Sequence, residues 1–371
     1  MSTYNYGIYC NTPYQLFVAM CFVFNYVNKE CDTVDLYVDI DNAKELNSYA
    51  NKLQDVSVFN RIYKIRRLID RDKGISKYYK KIAFYMNPRM MFEKSVIGDS
   101  IPDSDYYDIT MISYLGPLPR AFIFSYPNAK IYLFEDGLGS YLSSQYYAFA
   151  TKKDKFFQFI TGRGEDTIHI ENRFLFSPDF YTGKNRTSKL IVPLETTEER
   201  HILELLLPPD ESDLYCRYQF IYLTQPIEAN DLELVSKANH IENQIEEFLK
   251  QECPNDMLVR PHPRQFDKNY EPWEVDKRKL SWELSCSIKI KDDSVLIARF
   301  STAQIVPKLL YDKEPYLMFL YKLFPENLEG TYTEIENTVS RLQGIYEHKE
   351  KILIPNSISE IESMINQVRR R

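Results

Sequence analysis

Short apolar runs alternate with stretches of helical periodicity along the first part of the chain. Runs at residues 4–10, 34–40, 56–65, 107–113 and 130–134 predict strands. Helices are predicted over residues 16–27, 43–53 and 119–125, with Asn11-Thr12-Pro13 as a helix start, and over 77–95 with a break near Asn87-Pro88. This alternation predicts a parallel sheet of about five strands.

The same alternation returns in the second half. Strands are predicted at residues 218–223, 257–260, 294–300 and 315–320, and helices at 231–250, 302–311 and 358–368. Between the two series, residues 145–187 have no sustained period and predict a peripheral insertion, followed by a crossover at 188–199. We therefore predict an α/β protein with two doubly wound, Rossmann-like domains, at 1–187 and 188–371, which face a cleft.

Composition narrows the class of protein. A net charge of -7 argues against a nucleic-acid surface as the main partner. The six cysteines form no CxxC pair, which favours a reducing, cytoplasmic location. The first residues lack the features of a signal peptide, and the apolar helix at 16–27 is shorter than a membrane span. The basic end Arg369-Arg370-Arg371 fits a frayed tail, with peripheral contact to anionic lipid as the alternative.

The segment KIYLFEDGLGSY, residues 130–141, is the first candidate for chemistry. Its apolar run ends in Glu135, Asp136 and Gly137, at the carboxyl end of a predicted strand, where open α/β sheets bind their ligands. The simpler alternative is a glycine turn whose acids are only solvated.

Three polar clusters follow predicted strands of the second half: Thr224-Gln225, His262 and Ser301-Thr302. His262 is held between Pro261 and Pro263, and the flanking Arg260 and Arg264 would suit a phosphate whose departure His262 assists.

Ser301 and Thr302 open a helix, where backbone N–H groups and the helix dipole favour an anion. A simple N-cap is the alternative account of these hydroxyls. Glu283 would accept hydrogen bonds from a ribose, or it is a solvated residue at a helix start. Asp39-Ile40-Asp41 is a weak metal-site pattern, since no histidine accompanies it. Patterns of P-loop kinases, simple dehydrogenases, zincins and α/β hydrolases do not occur.

Taken together, these segments resemble the bacterial lipooligosaccharide and capsule sialyltransferases typified by the Neisseria enzyme (glycosyltransferase family 52). The resemblance implies a glycosyltransferase B fold, with an acceptor-side first domain and a second domain that binds the donor CMP-sialic acid, and it implies no metal or other cofactor. It also implies that His262 supports departure of the CMP phosphate, that Ser301 and Thr302 bind that phosphate, and that Glu283 binds the ribose. The matching segments are CNTPYQL (10–16), FEDGLGS (134–140), YLTQPIE (222–228), RPHPRQ (260–265), WEL (282–284) and FSTA (300–303).

The general base stays open between two places. Some sialyltransferase families use an acid of the acid-acid-glycine motif, which implies Asp136 or Glu135. The Neisseria-type family instead uses an aspartate at the position where this chain has Ile227, and the nearest acid here comes one residue later, at Glu228. We expect the acceptor, an oligosaccharide ending in galactose, to lie near Asn11, Gln15 and Gly137. The resemblance also allows a homodimer and peripheral contact at the inner face of the membrane. Alternatives are transfer of another sugar such as glucose, a sugar-nucleotide 2-epimerase, or a non-enzymatic nucleotide-sugar-binding regulator.

Overall fold

The chain divides into two compact units, Met1–Pro208 and Pro209–Arg371. A computed structural model describes residues 3–68, 82–141, 156, 159–163, 167–182, 188–192, 214–227, 231–262, 265, 268–277, 282–326, 328 and 332–370. The division falls after the predicted boundary between 187 and 188, because a strand at Ser188–Leu190 pairs within the first sheet.

The first unit contains a parallel sheet of seven strands, in the order β3-β2-β1-β4-β5-β6-β7. Five were predicted, and the prediction missed β6 and β7. The segment IENRFL of β6 begins with three half-exposed residues and buries only its last three, so it lacks the continuous apolar run of the other strands. The strands are β1 (Asn5–Cys10), β2 (Thr33–Asp39), β3 (Arg61–Ile65), β4 (Ile109–Ile112), β5 (Lys130–Phe134), β6 (Ile170–Leu175) and β7 (Ser188–Leu190).

Proline starts three of the helices in this unit, since its fixed φ suits the first turn and its missing N–H is not needed there. Asn87 caps one of them, so Asn87-Pro88 begins a helix rather than only breaking one, while residues 77–81 of the predicted helix lie outside the described residues. The helices are α1 (Pro13–Tyr26), α2 (Lys44–Gln54), α3 (Pro88–Ser95) and α4 (Pro117–Ser125).

The second unit contains a parallel sheet of six strands, in the order β10-β9-β8-β11-β12-β13. The predicted strands and helices of this half are confirmed, whereas the two-residue strands β10 and β13 are too short to give a periodic signal. The strands are β8 (Phe220–Leu223), β9 (Met257–Arg260), β10 (Glu274–Val275), β11 (Val295–Ala298), β12 (Tyr316–Phe319) and β13 (Ile352–Leu353). The helices are α5 (Leu232–Glu252), α6 (Trp282–Lys289), α7 (Thr302–Tyr311), α8 (Tyr332–Ile345) and α9 (Ile358–Arg369).

Each sheet has one point at which the strand order reverses. The reversal lies between β1 and β4 in the first unit and between β8 and β11 in the second. Open α/β sheets bind ligands outside the carboxyl ends of the strands at such a point. Among the described helices, none is long and apolar enough to cross a membrane.

Candidate functional site

A hydrogen bond crosses the reversal point of the first sheet. Asn11 follows β1 and Tyr114 follows β4, and the Asn11 Nδ2 atom donates to the Tyr114 hydroxyl at 2.6 Å. A Cβ atom at Gly116 would lie only 2.4 Å from Cε2 of Tyr114, so the glycine leaves the space that this ring occupies. The loops after β1 and β4 are therefore joined at the predicted ligand edge.

The acid-acid-glycine motif divides into two different carboxylates. Glu135 is 1% exposed and accepts hydrogen bonds from the Tyr14 hydroxyl at 2.6 Å, the Tyr141 hydroxyl and the Phe176 N–H at 3.0 Å. These donors come from α1, from the turn after β5 and from the end of β6. Glu135 thus ties three segments together from a buried position that has almost no contact with solvent.

Asp136, by contrast, is exposed. Its Oδ1 atom accepts from Gln15 Nε2 at 3.0 Å, and its backbone N–H donates to Ser140 Oγ at 2.6 Å. Gly137 has a φ of 80°, a left-handed conformation that favours glycine, and its carbonyl accepts from the Ser140 N–H. The turn therefore presents Asp136 to solvent in a fixed place. Gly137 contributes through its backbone, by its left-handed conformation and its hydrogen bond to Ser140.

Asn11 and Gln15, the predicted acceptor-binding residues, are 5% and 1% exposed. The Asn11 N–H donates to Gln15 Oε1 at 2.8 Å, and the Gln15 N–H donates to the Thr12 hydroxyl that caps α1. In the structure these side chains hold Tyr114 and Asp136, and those two present the more accessible polar groups.

The Asp39-Ile40-Asp41 pattern forms an ion pair rather than a metal site. Asp39 is fully buried and accepts from Arg67 Nε at 2.7 Å and from the Tyr9 hydroxyl at 3.1 Å. The Asp41 carboxylate accepts from the Arg67 backbone N–H at 2.9 Å. Within the described ranges, no group of three His, Cys, Asp or Glu residues is arranged to hold a metal ion.

Burial raises the pKa of Tyr114 to about 12, with the Asp39 and Asp136 carboxylates adding to the shift and Arg67 opposing it. Burial, and after it the charge of Asp136, also raises the pKa of the Cys10 thiol. Both groups are therefore neutral near pH 7, and the first-unit edge offers a neutral phenol beside an exposed carboxylate.

In the second unit the candidate residues follow three adjacent strands, β9, β8 and β11. The Thr224 hydroxyl donates to Gln265 Oε1 at 2.7 Å and accepts from the His262 N–H at 2.9 Å. The Gln265 N–H donates to the His262 carbonyl. The backbone of His262 is thus fixed from both sides, and Thr224, itself 5% exposed, acts as a support for that segment.

Gln225 and Arg299 join the loops after β8 and β11 across the reversal point of the second sheet. The Gln225 amide bonds both the N–H and the carbonyl of Phe300, at 3.0 and 2.6 Å. Arg299 Nη2 donates to the Pro226 carbonyl at 3.0 Å. Gln225 therefore shapes the predicted donor edge through the backbone.

Arg260 is directed toward the interior of its unit. Its Nη1 atom donates to the Tyr215 hydroxyl at 2.6 Å and to Asp276 at 2.9 Å, and its guanidinium lies 5.3 Å from the centre of the Trp282 ring. Burial acts to lower the pKa of Arg260, but Tyr215 and Asp276 outweigh it and raise the pKa above its ordinary value. The cation is permanent, and the partners Tyr215 and Asp276 hold it within its own unit.

Ser301 is the N-cap of α7. Its hydroxyl accepts from the Ala303 N–H at 3.3 Å, and its own N–H donates to Gln304 Oε1 at 3.1 Å, which completes a capping box. Thr302, the first helical residue, is exposed. The simple N-cap considered in the sequence analysis is thus present. The start of α7 is also exposed at Thr302, so the positive end of its helix dipole remains accessible to an anion.

Glu283 lies in the first turn of α6, which packs along α7. Trp282 Nε1 donates to the Ala303 carbonyl at 2.6 Å, and the Tyr311 hydroxyl donates to the Glu283 carbonyl at 3.0 Å. These bonds pack the first turn of α6 along α7, with Trp282 at the start of α7 and the Glu283 carbonyl at Tyr311, the last residue of that helix. The ribose role of Glu283 stays a prediction. Glu228, Pro263 and Arg264 lie outside the described residues.

Sequence reasoning missed several supporting residues. Tyr14, Tyr114 and Tyr141 bond the motif residues of the first unit, and Gln265 and Arg299 hold the strand ends of the second. Tyr141 stands inside the segment 130–141, so its position was a usable signal. Tyr14 and Gln265 likewise stand inside the segments 10–16 and 260–265 that the sequence singled out. Tyr114 and Arg299 gave no signal, because their partners are distant in sequence.

Comparison with known proteins identifies the fold. No protein-family model matches the sequence, and no curated protein matches it significantly. A Listeria monocytogenes protein named as a candidate UDP-N-acetylglucosamine 2-epimerase is similar in structure, with a TM-score of 0.55 and 9% identity over 100% of this chain and 89% of that one. The glycosyltransferase of kitacinnamycin is similar too, with a TM-score of 0.53 and 9% identity over 99% of this chain and 91% of that one. The chain therefore has an α/β fold of two parallel-sheet, Rossmann-like domains, as in glycosyltransferase B enzymes and 2-epimerases.

Proposed function

We propose that this protein is an inverting sialyltransferase, which moves sialic acid from CMP-sialic acid to a hydroxyl of an oligosaccharide ending in galactose. Six sequence segments in the order of the lipooligosaccharide sialyltransferases support the proposal. The fold, shared with a glycosyltransferase at a TM-score of 0.53, agrees with it.

The observation that carries the proposal is that the two adjacent acids Glu135 and Asp136 have different environments. Glu135 is buried and bonded by two tyrosines and a backbone N–H, while Asp136 is exposed and held by Gln15 at 3.0 Å. A general base has to be both fixed and reachable, and Asp136 meets both requirements. Glu135 does not, so of the motif's two acids we propose Asp136 as the base. Glu228 remains the alternative outside the motif.

The proposed reaction is a single displacement. Asp136 accepts the proton of the acceptor hydroxyl as its oxygen bonds to the anomeric carbon of sialic acid. The bond from that carbon to the CMP phosphate breaks, and its electron pair leaves with the phosphate oxygen. The protein then releases the proton to solvent, and the configuration at the anomeric carbon is inverted.

The second unit is proposed to bind the donor and to stabilise the departing CMP. His262 and the start of α7, with Ser301 and Thr302, neutralise the single phosphate, and Glu283 binds the ribose. Pro263 and Arg264 are also proposed to contact CMP-sialic acid. Thr224, Gln225 and Arg260 act by supporting these groups, in keeping with their hydrogen bonds. Fixed donors around one phosphate can take the place of a metal or cofactor.

A 2-epimerase acting on a UDP-sugar is the second candidate, favoured by the similarity to the Listeria protein. Thermal-shift measurements with CMP, UDP, GDP and CMP-sialic acid separate the two, since a ligand raises the melting temperature of the protein that binds it. We expect CMP and CMP-sialic acid to stabilise most, and a lactose-terminated acceptor to gain sialic acid. Preferential stabilisation by UDP, with no transfer, would refute the sialyltransferase proposal and favour the epimerase.

A further inference from the structure

The residues that cap the N-terminus of α1 also form a hydrogen bond to Asp136, outside the helix. The Thr12 hydroxyl accepts from the Gln15 N–H, and Gln15 Oε1 accepts in return from the Asn11 N–H. A backbone N–H can only donate, so the atom of the Gln15 amide that faces it must be the oxygen. The Nε2 atom is consequently turned toward Asp136, 3.0 Å from its Oδ1 atom.

The second unit contains a similar cap, in which the glutamine accepts from the N–H of the N-cap residue itself rather than from the residue before it. At the start of α7, Ser301 and Gln304 form the corresponding Ser/Thr-x-x-Gln pair. There the Gln304 Nε2 atom donates to the backbone carbonyls of Leu296 and Met318, each at 3.0 Å. A cap of this kind therefore needs no carboxylate partner, and the bond from Gln15 to Asp136 is an additional feature of the first unit.

We propose that Gln15 is a positioning residue, whose side-chain amide fixes the Asp136 carboxylate in the orientation that receives the acceptor proton. The inference rests on the proposed function for the role of Asp136. Gln15 suits the task because it is 1% exposed and its amide is anchored at the other end by Asn11. An acceptor molecule therefore meets Asp136 rather than Gln15.

A chain of hydrogen bonds connects Asn11, the partner of the Gln15 amide, to the ion pair between Arg67 and Asp39. This connection gives the Asp39 ion pair a role in positioning Gln15. The Asn11 carbonyl accepts from Asn42 Nδ2 at 2.6 Å, and Asn42 Oδ1 accepts from Arg67 Nη2 at 2.6 Å. Arg67 is held in turn by the buried Asp39. The loops after β1, β2 and β3 thus fix the segment that orients Gln15.

The described groups around Asp136 come from four elements. Gln15 lies on α1, Ser140 follows β5, and Cys10 and Tyr114, which end or follow β1 and β4, interact with Asp136 electrostatically. The Gln15 side chain donates directly to a carboxylate oxygen of Asp136, at 3.0 Å. Its removal should therefore change how Asp136 titrates, because a hydrogen bond to the charged form favours that form.

The test compares Gln15→Met, which removes the donor, and Gln15→Glu, which places a second carboxylate there, with wild type. Carbon-detected NMR follows the titration of Asp136, assigned with Asp136→Asn. We expect the pKa of Asp136 to rise in both variants, and more in Gln15→Glu because like charges disfavour ionisation. Turnover by Gln15→Met should fall about tenfold or more, with the KM for CMP-sialic acid nearly unchanged.

Gln304→Met is the matched control, since it removes an equivalent buried amide from a cap of the second unit. It should lower stability and leave the titration of Asp136 unchanged. The inference is overturned if Asp136 titrates alike in wild type and both Gln15 variants, or if Gln304→Met shifts it equally. The titration needs no substrate, so a shift in a protein that transfers no sialic acid would uphold the positioning and reject the proposed function.

Discussion

The side-chain amide of Gln225 and the peptide groups of Phe300 form two hydrogen bonds: Nε2 donates to the Phe300 carbonyl at 2.6 Å, and the Phe300 N–H donates to Oε1 at 3.0 Å. This pair joins the ends of β8 and β11 at the point where the strand order reverses. Gln225 therefore contributes both to the stability of the second unit and to the position of the loops that form the proposed donor-binding edge.

Replacing Gln225 by alanine should lower the free energy of unfolding by about 1 kcal/mol, because it removes two hydrogen bonds from partly buried backbone groups of Phe300. CMP affinity should fall with it, since the start of α7 follows Phe300 directly. Chemical denaturation and calorimetric titration with CMP measure the two effects. Gln251→Ala, at an exposed position on α5, is the control. Unchanged stability and CMP affinity in Gln225→Ala would contradict the coupling.

Glu135→Gln should mainly lower stability, whereas Asp136→Asn should mainly lower transfer activity. Glu135 accepts three described hydrogen bonds in a buried place, and an amide nitrogen cannot accept the bonds that a carboxylate oxygen does. Glu135→Gln should therefore cost about 1–3 kcal/mol of stability. Asp136→Asn, at an exposed residue, should keep the fold and CMP-sialic acid binding and lose transfer on the order of 10²-fold or more. If Asp136→Asn transfers normally, Glu228→Gln becomes the decisive variant.

His262→Ala should lower turnover on the order of 10²-fold or more while leaving the protein folded. The hydrogen bonds that fix this segment to Thr224 and Gln265 use the backbone of His262, which alanine retains. His240→Ala, at an exposed histidine on α5, controls for loss of an imidazole. Steady-state transfer rates and melting temperatures are the measurements, and normal turnover of a folded His262→Ala would remove the residue from the mechanism.

The sequence predicted the elements that are apolar and continuous, and it failed where that signal is weak. The strands ending at Cys10, Phe134 and Leu223 were found because buried parallel strands are apolar on both faces. The strand β6 was missed because half of it is polar. Likewise, placement after a strand located Asp136 and His262, but it could not separate the exposed Asp136 from the buried Glu135. That difference depends on donors as distant in sequence as Tyr14 and Phe176.

Gly116→Ala tests the close approach behind Tyr114. The added Cβ would meet the Tyr114 ring at 2.4 Å, so the ring must move and its hydrogen bond to Asn11 must change. We expect a loss of about 1–3 kcal/mol of stability, typical of overpacking. Gly344→Ala, on α8 with no atom within 4 Å of the added Cβ, should instead be neutral or stabilising by about 0.5–1 kcal/mol. Equal melting temperatures for the two variants would contradict this account.

Asp35 gives a prediction for the dependence of stability on pH. It is 1% exposed, and its Oδ2 atom accepts from the Tyr107 hydroxyl at 2.8 Å. Burial raises the pKa of Asp35, with Tyr107 and Arg61 opposing the rise. An acid whose folded-state pKa is raised penalises the folded state once it ionises, and the penalty is complete above the folded-state pKa.

Asp35→Asn removes that penalty, so the variant should gain stability relative to wild type at neutral pH. The difference should shrink as the pH falls through the raised pKa toward the ordinary value of 3.8, below which the wild-type carboxyl is mostly protonated in both states. Denaturation curves between pH 7 and pH 4, on the scale of these side-chain pKa values, measure it. Asp55→Asn, at an exposed aspartate after α2, makes the same change in net charge and serves as the control. A difference between Asp35→Asn and wild type that grows as the pH falls would show that the Asp35 carboxylate stabilises the fold, contrary to the burial argument.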